Sequence, residues 1–386
     1  MGLAQTDQNL DLRQLKQEII DYSRSIGIDK IGFAAADPFA ELKQRLIRHR
    51  ELGYESGFEE PDIEKRTTPT KILPEAQSII AIALAYPSRL KHPPRSKQGA
   101  YRGILCRASW GLDYHHILRD KLQKLESFIK SRVPDAHCES MVDTGALSDR
   151  AVAERAGIGW SGKNTAIITK EFGSWVYLGE MLTSIPFEPD QPVTESCGTC
   201  NKCIEACPTG ALVQGGQLDS NKCIAYLTQV KNFVPLPYRE KIGNRLYGCD
   251  TCQTVCPHNR KKNFTHHPEM EPDPQVVKPL LKPMLYMSKR EFRKTFGPTA
   301  SAWRGKKPLQ RNAIIALGNF KDETAVPELI DLLHNDPRPA IRGTAAWALG
   351  KIGTEEGRQA LKEAQRLEAD QDVLAEVEHA LNMFNH

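Results

Sequence analysis

Eight of the ten cysteines in this chain lie between Cys197 and Cys256, and no other feature restricts its possible folds so sharply. The surrounding residues, 186–262, are rich in Pro and Gly and poor in long apolar runs. Such a segment cannot fold on core burial alone, so bridges or a metal must organise it. The N-terminus, MGLAQTDQNLDLRQLKQE, is polar and lacks an apolar signal core, so export is not indicated and a cytoplasmic location is expected. MGLAQT has the form of a myristoylation signal, read here as a plain soluble terminus. The most apolar run, Ile79–Ala85, falls far short of the roughly 18 residues of a membrane span, so no membrane partner is expected. In a chain that is not exported the thiols stay reduced, which points to metal binding or catalysis rather than disulfides.

The spacing selects the metal. Cys197-Gly-Thr-Cys200-Asn-Lys-Cys203-Ile-Glu-Ala-Cys207-Pro208 is a C-x2-C-x2-C-x3-C-P run. Cys249-Asp-Thr-Cys252-Gln-Thr-Val-Cys256-Pro257 repeats its second part, with Leu246 where a first cysteine would stand. This is the bacterial ferredoxin pattern, in which three thiolates wrap one cubane and the Cys-Pro turn sends the fourth to the other. By that crossover rule one [4Fe-4S] cluster takes Cys197, Cys200, Cys203 and Cys256. The other takes Cys207, Cys249, Cys252 and Cys223, the last replacing the lost ligand. Paired C-x2-C units alone would also suit structural zinc, but the four-cysteine run with its trailing prolines favours iron–sulfur. No C-x3-C-x2-C triplet occurs, so radical-SAM chemistry is not supported. Clusters with every iron capped are an electron wire, and their acceptor must lie elsewhere, most simply in the N-terminal domain.

That domain, residues 1–185, reads as α/β. Apolar residues recur at helical spacing over Leu10–Ile26 and Tyr114–Arg132. IDKIGFAAA, SIIAIALAY, CESMVD and TAIIT read as strands, with a polar helix over Phe39–Leu52 and another around Ala151–Ala156. Strands alternating with helices argue for a layered sheet. Residues 186–262 form the cluster module, 263–310 a basic connecting segment, and 311–386 a helical tail. In the tail Ala316-Leu317-Gly318, Ala348-Leu349-Gly350 and Ala380-Leu381-Asn382 recur every 32 residues. That period suits HEAT-like repeats, here two units and a cap, although an ordinary three-helix tail would serve as well. The overall charge of +4 hides a sharp segregation: His258–Arg311 carries thirteen Lys/Arg against four Asp/Glu, a net of +9.

No G-x-G-x-x-G follows a predicted strand and no G-x4-G-K-[ST] occurs, so neither a Rossmann nucleotide site nor a P-loop is supported. The densest polar stretch is Val142-Asp143-Thr144-Gly145, continuing Asp149-Arg150-Ala151-Val152-Ala153-Glu154-Arg155-Ala156-Gly157-Ile158-Gly159-Trp160-Ser161-Gly162-Lys163-Asn164. A strand delivers Asp143 into a turn, and Asp149 is placed to cap a short helix ending at Gly157. A carboxylic acid there suits proton donation if burial raises its pKa toward neutrality; as a lone Asp it would otherwise be a turn former, with Arg150 and Arg155 surface charges.

This block, followed by CGTCNKCIEACPTGA, NKCIAYLTQ and YGCDTCQTVCPHN, resembles the epoxyqueuosine reductases from about Ile63 to Arg311. The resemblance implies a catalytic α/β domain like that of reductive dehalogenases, a two-cluster ferredoxin-like module and HEAT-like repeats. It implies two [4Fe-4S] clusters and cobalamin as cofactors, and reduction of epoxyqueuosine to queuosine in a tRNA anticodon loop. Asp143 takes the proton-donor position. Arg66, Cys106, Arg150, Lys163, Asn164 and Tyr226 fall at cofactor positions, with Cys106 where the family usually holds Ser in a motif that here continues Arg-Ala-Ser-Trp. Asp113-Tyr114-His115-His116-Ile117-Leu118 only superficially matches the cobalamin D-x-H-x-x-G motif, so His115 and His116 are read as surface or substrate-side helix residues.

A tRNA substrate needs phosphate contacts. Lys231, Lys289, Arg293, Lys294, Arg304, Lys306, Lys307 and Arg311 are the candidates, with Phe292, Phe296 and Trp303 between them to stack on bases. The remaining expectations are an external electron donor and a monomer. Cys138 has no assigned role beyond a structural thiol. A corrinoid reductive dehalogenase and a non-catalytic electron-transfer or scaffold protein are the alternatives.

Overall fold

The strand expected at SIIAIALAY is covered on both faces, and this decides the N-terminal architecture. In the computed structural model, which describes residues 11–385, the strand spans Ser78–Ala85 and every residue in it is buried. The MGLAQT segment lies outside the described residues. The strands β1 (Lys30–Ala35), β2 (Ser78–Ala85), β3 (Cys138–Met141) and β4 (Val176–Thr183) form one antiparallel sheet in the order β1-β2-β4-β3. Ile80, Ile82 and Leu84 of β2 pack with the helices α1 (Leu12–Ser25) and α2 (Tyr114–Arg132). Ile79, Ala81 and Ala83 face the short helix α3 (Asp149–Arg155). A continuous apolar run is what a strand buried on both faces requires, and each fully buried Ile or Leu contributes about 1.5–3 kcal/mol.

One local expectation changes, and one interior strand of the sheet was not expected. TAIIT yields only Ile167–Ile168, paired in a ribbon with Trp160–Ser161. The central strand β4 has no clear apolar signature, because Gly179 and Glu180 interrupt it.

The cluster module is tied to this domain by a parallel pairing of Arg245–Tyr247 with Ile104–Leu105. Leu246, standing where a cysteine would be expected, is fully buried and packs so closely on Gly103 that a side chain there would clash. The connecting segment 263–310 is not an open linker. It forms helices at Leu281–Tyr286 and Lys289–Thr295 whose apolar residues join the core of the tail. Phe292 and Phe296 are buried in that core, so they are not free to stack on bases; apolar spacing along a basic helix marked its inner face rather than a ligand surface.

The tail consists of five helices: α4 (Lys306–Phe320), α5 (Val326–Asn335), α6 (Pro339–Ile352), α7 (Glu355–Leu367) and α8 (Gln371–Asn382). The 32-residue recurrence has a steric cause. A Cβ on Gly318 would lie 3.1 Å from Ala348 Cα, and one on Gly350 would lie 2.8 Å from Ala380 Cα. The Ala-Leu-Gly triplets mark where equivalent helices of successive repeats touch backbone to backbone.

Arg311, expected at the tRNA surface, is wholly buried on α4. Its guanidinium donates to the carbonyls of Leu227, Thr228, Val230 and Asn232 at 3.1, 3.3, 2.5 and 2.6 Å. These carbonyls belong to the loop that follows Cys223, so Arg311 clasps the cluster module to the repeats. Counting charge along the sequence could not distinguish this inward-facing cation from its exposed neighbours. Arg311→Leu would leave those carbonyls unpaired, and we expect it to lower stability by about 3 kcal/mol or more in urea unfolding. An unchanged midpoint would show that the clasp is dispensable.

Candidate active site and cluster module

All ten cysteines are free thiols. Eight of them gather in the cluster module, where their mutual electrostatic influence defines two neighbourhoods. Cys203 lies beside Cys197 and Cys256, and Cys256 beside Cys197 and Cys200. Cys223 lies beside Cys249 and Cys207. Burial, followed by Cys249 and Cys223 and then Cys203 and Cys207, pushes the Cys252 thiol up to about 12, which places Cys252 where the groups meet. Thiols so crowded and buried resist ionisation until a cation neutralises them, which is the donor chemistry of a metal cluster. Cys207 alone is drawn down: burial opposes ionisation, but backbone N–H groups of Leu212, Thr209 and Ala211 outweigh it. Amide donors turned on sulfur suit a cluster-bound thiolate.

The group containing Cys249 borders Cys106, whose thiol is pushed up by burial and then by Asp250 and Cys249. A Cβ on Gly248 would lie 2.2 Å from Cys106 Sγ, so a glycine is needed here to let the two loops close. Cys106, Gly248, Cys249 and Asp250 line a cavity of about 240 Å³, and Tyr247 lies within electrostatic reach of both Cys106 and Asp143. Asp143 and Arg150 are exposed and Cys106 and Tyr247 partly so, with Arg150 within electrostatic reach of Asp143.

The end of β3 delivers Val142 into the core and Asp143 into a turn at φ +54°, a left-handed conformation that is costly for a residue with a side chain. Its amide donates to Asp149 Oδ2 at 2.8 Å. Asp149 is thus the first residue of α3 rather than its cap, which is Ser148; its carboxylate faces back toward Asp143 instead of the helix.

The carboxylate of Asp143 meets His115 (Oδ2 to Nε2, 3.4 Å), whose Nδ1 lies 2.6 Å from Asp113 Oδ1. Burial alone would lower the pKa of His115, but Asp113 and Asp143 overcome it and raise it to about 9. His115 conversely holds Asp143 below the usual carboxylate range, against the pull of burial. The expectation that burial raises Asp143 toward neutrality is therefore overturned: the proton resides on the imidazolium. Beneath them Asp149 is pushed up to about 6 by burial. Glu180, wholly buried on β4 with neither carboxyl oxygen hydrogen-bonded, is held far above its ordinary range by burial and Asp149.

Of the remaining expected residues, Arg66 is held below its ordinary range by burial and then by Arg150, and Arg150 by burial. The amide of Asn164 is buried with no partner for its Nδ2, as a donor awaiting an acceptor would be. Lys163 is directed elsewhere: its amide donates to Cys197 Sγ at 3.4 Å and its ammonium to Gly198 O and Asn201 Oδ1, both at 2.8 Å. Tyr226 packs on Phe58, which packs edge-on to Trp303, with Arg304 over both Phe58 and Trp303. Phe58 and Trp303 are exposed, 41% and 54%, and Trp303 adjoins Tyr247, which sets this aromatic group beside the site. Phe58, Tyr247, Glu180 and the role of His115 escaped the sequence reading. The Asp113-Tyr114-His115 run was the one available signal, and only the fold brings it to Asp143.

The fold and site define an oxidoreductase with a two-cluster electron-transfer module and an acid–base chain. Residues 196–259 match the 4Fe-4S double cluster binding domain, residues 66–144 the family "Epoxyqueuosine reductase QueG, DUF1730", and residues 304–382 HEAT repeats. The epoxyqueuosine reductase of Bacillus cereus is 64% identical over 97% of this chain and 99% of its own length. That of Bacillus subtilis is 61% identical over 97% of each. A solved epoxyqueuosine reductase in complex with an epoxyqueuosine-modified tRNA-Tyr stem loop has a TM-score of 0.96 and 61% identity, covering 97% of this chain and all of that one. Another, from Bacillus subtilis, has its catalytic aspartate loop swung out of the active site (TM-score 0.95, 60% identity, 97% of this chain and all of that one). The chain belongs to the epoxyqueuosine reductase family.

Cys223→Ser separates the two cysteine groups experimentally. We expect the iron content to fall by about half while the Cys197 group keeps its cluster. Unchanged iron and spectra would remove Cys223 from the ligand set.

Proposed function

We propose that this protein reduces epoxyqueuosine to queuosine in a tRNA anticodon loop, taking two electrons from an external donor through two [4Fe-4S] clusters. The ligand sets are Cys197, Cys200, Cys203 and Cys256, and Cys207, Cys223, Cys249 and Cys252. The carrying observation is the Asp113–His115–Asp143 chain, with Tyr247 within electrostatic reach of both Asp143 and Cys106. Cobalamin suits this site: Cys106 lines a cavity, Asn164 offers an unpaired amide and Arg66 and Arg150 supply cations. When bound, it would provide a reducible cobalt centre beside the substrate. Cys106 and Tyr226 would line its cluster-facing side, while Lys163, turned to Gly198, supports the cluster loop instead.

Opening an epoxide to an alkene and water takes two electrons and two protons. At neutral pH the imidazolium of His115 holds one of those protons, its Nε2 paired electrostatically with the carboxylate of Asp143 at 3.4 Å. Asp143 faces the substrate and passes the proton to the departing oxygen, drawing on His115.

Lys231, Lys289, Arg293, Lys294, Arg304, Lys306 and Lys307 form the surface for tRNA phosphates. Lys306 and Lys307 are held below the usual lysine range by burial and then by neighbouring cations, Arg338 ahead of Lys289 for the first and Arg311 and Arg338 ahead of Lys231 for the second. Crowded cations favour an anionic partner. No described helix is long and apolar enough to cross a membrane, and the reading is of a monomer acting on tRNA in the cytoplasm. The working domains are 1–185, 186–262, 263–310 and 311–386.

Asp143→Asn should retain both clusters and lose about 10²–10⁴-fold in turnover; full activity would eliminate Asp143 as the acid. The pH dependence carries its own sign. The folded-state pKa of His115 is raised, so the proton is present throughout below about 6.5, persists in the folded enzyme, and is lost as pH rises through about 9. Turnover should accordingly decline near pH 9, and that limb should vanish in His115→Gln. A wild-type profile flat to pH 10 would refute the proton reservoir.

A further inference from the structure

The entrance to the electron path can be located as well as its end. Cys256 belongs to the cysteine group remote from Cys106, and it opens onto a cleft of about 390 Å³ whose walls include Arg89, Arg107, Arg260, Lys261 and Lys262. Arg107 is neutralised by Asp250 at 2.8 Å. Lys262 Nζ is turned to the carbonyls of Lys170 and Glu171. Arg89, Arg260 and Lys261 are exposed, and none has a carboxylate within 4.0 Å among the described residues. No acidic side chain lines the cleft, and Glu195 and Glu205 of the neighbouring cluster loop lie outside it. Neither Asp143, His115 nor Arg150 contributes to it; Arg107, Thr254 and Val255 are the wall it shares with the cavity at Cys106 and Cys249.

Three uncompensated cations around one opening repel one another unless a partner supplies negative charge. The position of the opening identifies that partner. Electron transfer weakens steeply with distance, and here a cluster-ligand cysteine forms part of the wall itself. A nucleic acid would gain nothing from that proximity, whereas a redox protein would gain its rate.

We propose that this cleft docks a small acidic one-electron carrier protein, whose carboxylates pair with Arg89, Arg260 and Lys261 while its redox group faces Cys256. Each encounter oxidises the carrier by one electron and reduces the Cys197/Cys200/Cys203/Cys256 cluster by one. Two encounters supply the two electrons that, with two protons, convert an epoxide to an alkene and water. The proposal names the donor for the function given above, but its test reads cluster reduction rather than tRNA turnover, so the two can fail separately.

The test is anaerobic stopped-flow bleaching of the cluster-loaded enzyme, with a reduced acidic flavodoxin as one reductant and reduced methyl viologen, a cation, as the other. In the parent the flavodoxin rate should fall steeply with added salt. The double variant R260E/K261E should slow reduction by flavodoxin on the order of tenfold, leave reduction by viologen undiminished and leave tRNA affinity unchanged. Arg89→Glu, contributed from outside the cluster module, should slow flavodoxin in the same way with no change to the cluster loop. Flavodoxin rates that ignore these charge reversals would overturn the proposal. So would equal losses with both reductants, because the cleft would then govern the cluster rather than the encounter. A loss of tRNA affinity with flavodoxin rates intact would make it an RNA surface instead.

Discussion

The segment 186–262 cannot bury enough apolar surface to fold by itself, and the rest of the molecule is arranged around that deficit. Cluster binding supplies folding free energy from inside, but the loops between the cysteines still expose backbone that must be paired. Arg311 meets four of those carbonyls from the first tail helix, and Asn312 beside it donates to Thr228 and Leu246. Arg239, buried in the module's own helix, pairs with Glu376 of the last tail helix. Its Nη1 lies 2.6 Å from Glu376 Oε2, and its Nε donates to Val234 O. The repeats thus provide a rigid wall of polar partners that the cluster loops lack. Removing either guanidinium would strand charge or carbonyls in the interior, which is costlier than losing a surface pair.

How much of this was legible before the fold was known follows from the range of each interaction. Ligand spacing in the cysteine run is local chemistry, so a two-cluster module over residues 196–259 was legible from order alone. The strand Ser78–Ala85 and the helix Tyr114–Arg132 were equally clear, because burial writes itself as uninterrupted or periodic apolarity. The recurrence at Gly318 and Gly350 announced repeats but not their reason, which is a backbone contact between segments 32 residues apart. What stayed hidden was inverted or long-range. Val176–Thr183 is the central strand, yet it carries Glu180 where an apolar residue would have signalled it. Phe292, Phe296 and Arg311 read as surface because basic neighbours flank them, whereas the fold turns all three inward. His115 and Asp143 are 28 positions apart, and only the packing of their helix against the sheet lets one set the protonation of the other.

That coupling extends into the sheet. Three carboxyls, Asp143, Asp149 and Glu180, stand in succession from the surface to the core, and ionising all three would place mutually repelling charges in a poorly solvated site. Glu180, without any hydrogen-bond donor, keeps its proton and removes one charge. Asp149 keeps an acceptor oxygen for the amide of Asp143. Its raised pKa means that its contribution to stability is fullest below the usual aspartate range and diminishes as pH rises through about 6. At neutral pH the fold therefore tolerates a destabilising buried carboxylate, and the group that benefits is the strained turn at Asp143. A turn held in the left-handed region persists only where its surroundings over-determine it. The amide of Asp143 is thus held in its turn by the Asp149 carboxylate rather than by apolar packing.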